Sequence, residues 1–153
     1  MGVSGTGKST IGKLLSEKLG IPFFDGDDFH PKSNIEKMAS GKPLNDEDRY
    51  DWLLALNQLA HKHKNNGAVI ACSALKEAYR DILKKDITHQ TQFIYLEGSF
   101  ELVKSRMEKR STHFMPIHLL QSQFKALEPP KEALTISIKN NPDSIITLIL
   151  NSL

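Results

Sequence analysis

The feature that most constrains this chain is its glycine-rich first segment, Gly2-Val3-Ser4-Gly5-Thr6-Gly7-Lys8-Ser9, which matches G-x-x-x-x-G-K-[ST] at every specified position. The glycines permit backbone angles that turn successive N–H groups toward one point, which creates a nest for an anion. An amphipathic helix follows, and its positive dipole end lies under the same point. We therefore predict a phosphate-binding loop (P-loop), in which Lys8 meets the β- and γ-phosphates and the Ser9 hydroxyl ligates Mg²⁺.

The P-loop predicts the phosphoryl donor and leaves the acceptor open, because ATPases, GTPases and small-molecule kinases all use such loops. We expect a nucleoside triphosphate as the donor. The residues predicted to bind it are Gly2, Val3, Ser4, Gly5, Thr6, Gly7, Lys8, Ser9 and Thr10.

Apolar runs alternate with helical patterns along the rest of the chain. The runs at 21–24, 68–72, 93–96 and 134–138 predict strands. Helices are expected after the P-loop, around 34–39, from Asn45 or Asp46 onward, and at about 75–84, 100–110, 117–125 and 142–152. Strands that alternate with helices indicate βαβ units and a parallel sheet, so we predict an α/β fold in one domain over 1–153.

The P-loop stands directly behind Met1, whereas a P-loop is expected to follow a buried strand. We therefore expect that an N-terminal apolar segment is missing, through a misassigned start or a truncation. The neighbouring strands would then have unpaired edges, and the core would be open. The alternative is that another segment of the chain takes the place of that strand.

Composition excludes several classes of protein. The 20 Lys and Arg residues against 18 Asp and Glu residues give a net charge of +2, which is too balanced for a mainly electrostatic nucleic-acid binder. The single cysteine, Cys72, excludes an internal disulfide framework and fits a reducing compartment. No apolar run approaches the roughly 20 residues that span a bilayer, and no signal-peptide pattern is present. We predict a cytoplasmic protein without nucleic-acid or membrane partners.

An acidic segment, Asp25-Gly26-Asp27-Asp28, follows the strand predicted at 21–24. Ligands of open α/β sheets bind at this carboxyl edge. One carboxylate there can help to hold Mg²⁺, while another orients an attacking hydroxyl group and accepts its proton. The alternative is an acidic turn that caps a helix.

A basic cluster of Arg106, Lys109, Arg110 and His113 lies between two predicted helices. We predict a lid at about 106–116, whose closure brings Arg106 and Arg110 to the phosphoryl group and excludes water. The alternative is a solvated basic helix face.

Several longer blocks resemble the gluconokinase family. They occur in family order between residues 2 and 130, and they are DGDDFHP (25–31), NIEKM (34–38), PLNDEDR (43–49), CSALK (72–76), YRD (79–81), FIYL (93–96), HFM (113–115), SQF (122–124) and LEPP (127–130). The resemblance implies that ATP and D-gluconate give ADP and 6-phosphogluconate, with Mg²⁺ as cofactor. It also implies a three-layer α/β/α fold related to shikimate and nucleoside monophosphate kinases, with parallel strand order 2-3-1-4-5, a mobile lid and often a homodimer.

The resemblance also suggests roles for single residues. Asp27 would orient and deprotonate the 6-hydroxyl of gluconate, and Asp25 would join Ser9 at Mg²⁺. Arg49 and Arg80 could each form a bidentate pair with the substrate carboxylate, the alternative for each being a surface salt bridge. The remaining residues expected at the substrate are His30, Lys76 and His113.

Two other functions stay open at this point. One is phosphorylation of shikimate or another small hydroxy acid, against which the His30-Pro31 and Ser73-Ala74-Leu75-Lys76 blocks argue. The other is a catalytically silent nucleotide-binding or regulatory protein, which would bind ATP without turnover.

Overall fold

The computed structural model describes residues 1–110 and 116–153. Its strands are β1 (Phe23–Asp25), β2 (Val69–Ala71), β3 (Ile94–Glu97) and β4 (Leu134–Ser137). Its α-helices are α1 (Lys8–Leu19), α2 (Lys32–Ala39), α3 (Asp46–Lys62), α4 (Glu77–Lys84), α5 (Phe100–Glu108), α6 (Ile117–Ala126) and α7 (Pro142–Leu150). Every predicted strand and helix is present within a few residues of its expected bounds, and the α/β class is confirmed. Two short 3₁₀ turns, Gly26–Phe29 and Thr88–Gln90, were not predicted.

The four strands form two parallel pairs. Strand β1 pairs with β2, with Phe23 opposite Val69, and β3 pairs with β4, with Ile94 opposite Leu134. In the expected five-strand order 2-3-1-4-5, β1 and β2 take the places of strands 2 and 3, and β3 and β4 take the places of strands 4 and 5. The observed pairs agree with that order, and residues 1–2 then occupy the place of strand 1.

The backbone of Met1 and Gly2 lies between the two strand pairs. The Met1 nitrogen donates to the carbonyl of Ile94 at 2.5 Å, and the Leu96 N–H donates to the Met1 carbonyl at 3.0 Å. On the other side, the Gly2 N–H donates to the Ser73 carbonyl at 3.2 Å. A cavity of about 340 Å³ adjoins this contact, between α1, β2 and β3. Residues 1–2 thus bond to the backbone on both sides, and the cavity lies beside them.

The helices cover the strands with their apolar faces. Helix α1 buries Ile11 and Leu15, and Gly20 ends it in a left-handed conformation with φ 66°, which glycine adopts without steric cost. Helix α3 begins at a reciprocal capping box between Asn45 and Asp48, which satisfies two N–H groups at its start. The larger side chains at the centre of the core are Trp52, Leu53, Leu56, Leu75, Val103, Leu120, Ile138 and Ile149. Among the described residues, no helix has the length and apolar character needed to cross a membrane.

Candidate active site

The P-loop leads directly into α1. Gly7 precedes the helix with φ 93°, a left-handed conformation that lets the first N–H groups of α1 face an anion. Gly5 has φ 82°, and a Cβ atom at this position would lie 2.8 Å from Cγ of Met107 in α5. Glycine is therefore required at residue 5 both by the backbone angle and by the close approach of α5.

Two side chains of the loop bind its own backbone at Val3. The Thr6 hydroxyl donates to the Val3 carbonyl at 2.9 Å, and the Lys8 ammonium donates to the same oxygen at 2.9 Å. Burial lowers the pKa of Lys8, while Asp27 raises it. A phosphate oxygen would offer this ammonium a charged acceptor, which is a stronger partner than a carbonyl.

Ser9 and Asp25 meet where α1 begins and β1 ends. The Ser9 hydroxyl donates to Oδ2 of Asp25 at 2.5 Å, and Oδ1 of Asp25 accepts from the Asp27 N–H at 3.1 Å. A hydroxyl and a carboxylate in contact are the oxygen ligands that Mg²⁺ takes. Residues 1–110 and 116–153 contain no group of three or more His, Cys, Asp or Glu side chains arranged for a metal. This pair therefore fits a cation that takes its other ligands from phosphate and water.

Asp27 lies on the 3₁₀ turn that follows β1, and His30 is the residue that ends this turn. The indole N–H of Trp52 in α3 donates to the Gly26 carbonyl at 2.7 Å, which fixes this turn to α3. The His30 ring stacks on Trp52, with ring centroids 4.1 Å apart, and its Nε2 lies 4.0 Å from Oδ1 of Asp27. The two predicted substrate residues are thus neighbours.

Burial and nearby charges shift the pKa values of Asp27 and His30. Partial desolvation raises the pKa of Asp27, whereas Lys8 lowers it, so the donor lysine and the acidic residue share one electrostatic environment. The Asp27 side chain is 86% exposed, and solvent therefore weakens both effects. Burial, followed by the nearby positive charge of Arg49, lowers the pKa of His30 to about 4, so its ring is neutral near pH 7.

Arg49 belongs to a second polar cluster. Its guanidinium donates to the carbonyl of Leu44 at 2.6 Å and to the Tyr79 hydroxyl at 3.2 Å. Asp46 accepts from Lys76 at 2.8 Å and from Tyr79, and these two hydrogen bonds lower the pKa of Asp46. Of the predicted residues, Lys76 therefore binds a carboxylate, here that of the protein itself, and Arg49 is linked to it through the Tyr79 hydroxyl.

Arg80 has a different environment from Arg49. Its side chain is buried, and its guanidinium donates to the carbonyls of Ala74 at 2.9 Å and Leu75 at 3.3 Å. The prediction that Arg80 binds a substrate carboxylate is not supported by this position. The residue instead secures the loop between β2 and α4.

Two of the predicted lid residues, Arg106 and Arg110, lie within the described part of the chain. Arg106 donates to the carbonyl of Ile138 at 2.5 Å, so it contacts the backbone that follows β4. Arg110 stands two residues beyond the end of α5, at the last described position before residue 116. His113 and the centre of the predicted lid lie outside the described residues. The roles of Arg106, Arg110 and His113 at a phosphoryl group stay predictions.

One further contact to the P-loop was not predicted from the sequence. Gln123 of α6 accepts from the Ser4 N–H at 2.7 Å and donates to the Ser4 hydroxyl at 3.3 Å. Its sequence signal is a glutamine beside the apolar residues Leu119, Leu120 and Phe124. This pattern alone does not specify a partner 119 residues away.

A parallel α/β fold, a P-loop and an acidic turn at the same sheet edge define a P-loop kinase of a small molecule. Accordingly, the sequence model of the shikimate kinase family matches residues 4–140. The thermosensitive gluconokinase of Escherichia coli is 50% identical over 133 residues, which cover 86% of this chain and 71% of that protein. A probable gluconokinase of Rattus norvegicus is 42% identical over 175 aligned residues, with 100% of this chain and 95% of the relative covered. The crystal structure of a gluconokinase from Sinorhizobium meliloti 1021 superposes with a TM-score of 0.89 at 39% identity, over 99% of this chain and 87% of the other.

The chain belongs to the gluconokinase family, and it is an ATP-dependent kinase. The resemblance noted from the sequence blocks is thereby confirmed.

Proposed function

We propose that this chain transfers the γ-phosphoryl group of ATP to the 6-hydroxyl of D-gluconate, giving 6-phospho-D-gluconate and ADP. The observation that carries this proposal is the hydrogen-bonded link from Ser9 in the first turn of α1 through Asp25 to the Asp27 N–H. It supports a site in which the phosphate-binding loop and a candidate proton acceptor serve two bound substrates side by side.

On the donor side, the loop and first helical turn hold the triphosphate. Lys8 leaves the Val3 carbonyl for the β- and γ-phosphate oxygens, and the N–H groups at the start of α1 bind the remaining oxygens. Ser9 and Asp25 would hold Mg²⁺, which neutralises charge on the phosphate oxygens.

On the acceptor side, Asp27 orients the 6-hydroxyl and removes its proton. The hydroxyl oxygen forms a bond to the γ-phosphorus as the bond from that phosphorus to the β–γ bridging oxygen breaks, and ADP leaves with the electron pair. His30, next to Asp27, is placed to bind a sugar hydroxyl.

The substrate carboxylate would bind at Arg49 and Lys76. The hydrogen bonds that Asp46 accepts from Lys76 and Tyr79 support this assignment, because donors of this cluster pair with an anionic oxygen group. Gluconate would compete with Asp46 for the Lys76 ammonium.

We also propose a cytoplasmic location, which agrees with the buried free thiol of Cys72. A homodimer stays a prediction from the family resemblance.

The test is ADP release by this chain with Mg²⁺ and ATP, measured with D-gluconate, with shikimate and without acceptor. We expect release that depends on gluconate. The Lys8→Met variant should lose turnover, while Lys18→Met, an exposed lysine on the same helix, should keep it. Equal release in all three conditions would exclude phosphoryl transfer to gluconate, and a wild-type rate in Lys8→Met would exclude the proposed donor site. Release that depends on shikimate alone would exclude gluconate as the substrate.

A further inference from the structure

The ring of His30 is held by two different helices. Trp52 of α3 stacks on one face of the ring, which fixes the ring plane. Asn34 of α2 contacts the ring edge, with its Nδ2 atom 3.3 Å from Nδ1 of His30. The side chain of His30 is only 6% exposed, so this orientation is set by the protein and not by solvent.

The Asn34 amide has one consistent orientation. Its Nδ2 atom lies 2.7 Å from the backbone carbonyl of Asp48, and a carbonyl oxygen can only accept. The NH₂ group of Asn34 must therefore face Asp48, because the opposite orientation would place two oxygens in contact. Asn34 itself is 3% exposed, so water cannot readily replace either hydrogen bond.

The second hydrogen of that NH₂ group points to the histidine ring. An amide NH₂ group donates and does not accept, so Nδ1 of His30 must be the acceptor and carries no hydrogen. In a neutral imidazole the hydrogen then lies on the other nitrogen, Nε2. Nε2 is the atom 4.0 Å from Oδ1 of Asp27.

We propose that Asn34 is a positioning residue for phosphoryl transfer: it keeps the ring hydrogen of His30 on Nε2, so that an N–H group and not a lone pair faces Asp27. The inference rests on the proposed function, in which Asp27 accepts the proton of the substrate hydroxyl. With Nε2 protonated, His30 cannot take that proton and can only donate a hydrogen bond, to Asp27 or to a substrate hydroxyl oxygen. Asp27 is then the proton acceptor beside this ring, and the positive charge of Arg49 in α3 lowers the pKa of His30 further.

The first experiment reads the tautomer in the unmodified protein. Histidine is labelled with ¹⁵N, and long-range ¹H–¹⁵N correlation spectra at pH 7 distinguish protonated from unprotonated ring nitrogens. The signals of His30 are assigned among the six histidines by their loss in His30→Gln. We expect Nδ1 without hydrogen and Nε2 with hydrogen. A hydrogen on Nδ1, alone or on both nitrogens, would overturn the inference without any variant of Asn34.

The second experiment tests the role of Asn34 in the reaction. In Asn34→Asp the carboxylate accepts from the ring, so the hydrogen should move to Nδ1, and kcat with gluconate should fall about tenfold while KM for ATP stays within about twofold. The matched control is Asn57→Asp on α3, where Asn57 also donates from Nδ2 to two carbonyls, those of Leu83 and Lys85. This control should keep both the His30 tautomer and kcat.

The outcomes separate the two proposals. An unchanged kcat in folded Asn34→Asp with a shifted tautomer refutes the positioning role. If Asn34→Asp does not fold, Asn34→Ala replaces it, and there the loss of the donor should give a mixture of both tautomers and a lower kcat. Gluconate-independent ADP release with the expected tautomer refutes the proposed function and leaves the assignment of the hydrogen intact.

Discussion

Replacing His30 with glutamine is expected to remove part of the acid sensitivity of the fold. The pKa of His30 is lowered from 6.5 to about 4, chiefly by burial, so the unfolded chain binds a proton at a pH where the folded chain does not. Between about pH 6.5 and pH 4 the unfolded state therefore holds more protons, and the free energy of unfolding decreases as the pH falls. Above pH 6.5 the contribution of His30 is complete.

The magnitude follows from the size of the shift. A lowering of about 2.5 pKa units corresponds to about 3 kcal/mol across this interval, at 1.36 kcal/mol per unit. Glutamine at residue 30 retains an oxygen that can accept from Asn34 but has no titratable group. The free energy of unfolding of His30→Gln should therefore decrease less than that of the wild type between pH 6.5 and pH 4, by up to that amount.

Urea unfolding at half-unit steps from pH 7.5 to pH 4.5 measures this difference. The control is His89→Gln, which changes an exposed histidine on the second 3₁₀ turn and should reproduce the wild-type pH dependence. Parallel curves for wild type and His30→Gln would refute the argument, because they would show that the His30 ring does not resist protonation in the folded state.

Three further predictions concern catalysis and folding. Asp27→Asn should lower kcat on the order of 100-fold or more, since it removes the proton acceptor; steady-state kinetics with gluconate that leave kcat unchanged would exclude Asp27 from this role. Arg49→Met should raise KM for gluconate with little change in thermal stability. Arg80→Met should instead lower Tm by several degrees, because it leaves buried carbonyls without their donor. The opposite pattern in kinetics and thermal melts would reverse the roles assigned to the two arginines. Gly5→Ala should lower the free energy of unfolding more than Gly20→Ala does in denaturant titration. Both glycines have positive φ, but a Cβ at Gly20 meets no atom within 4 Å. Equal losses would show that the approach of Met107 to residue 5 has no energetic effect.

The local parts of the fold and the site could be predicted from the sequence, and the long-range contacts could not. The P-loop pattern and the alternation of apolar runs depend on neighbouring residues, which is why they predict the strands and the helices, whereas the joint role of Ser9 and Asp25 was implied by the family resemblance. Arg49 and Arg80 received the same predicted role because a sequence does not show which guanidinium a fold will bury. Arg80 is buried, and the carbonyls of Ala74, which has φ 44°, and Leu75 accept hydrogen bonds from it.

The same limit explains why Asn34 and Gln123 were not identified as site residues. Asn34 bonds to the Asp48 carbonyl, and Gln123 bonds to Ser4 across 119 residues. Such contacts depend on how helices pack against each other, and an amide side chain carries no pattern that names its partner. Asp27 and His30, in contrast, are three residues apart, and a single turn of chain brings them together.

The position of Met1 and Gly2 between the two strand pairs has a mechanical consequence for nucleotide binding. Gly2 is the first residue of the P-loop, and its N–H donates to the carbonyl of Ser73, two residues after β2. Met1 forms backbone hydrogen bonds with Ile94 and Leu96 of β3. A sliding movement of one strand pair against the other would strain these hydrogen bonds and displace the anion nest by a similar distance. We therefore expect phosphate affinity to depend on the alignment of the two strand pairs, and by reciprocity we expect a bound triphosphate to oppose their sliding.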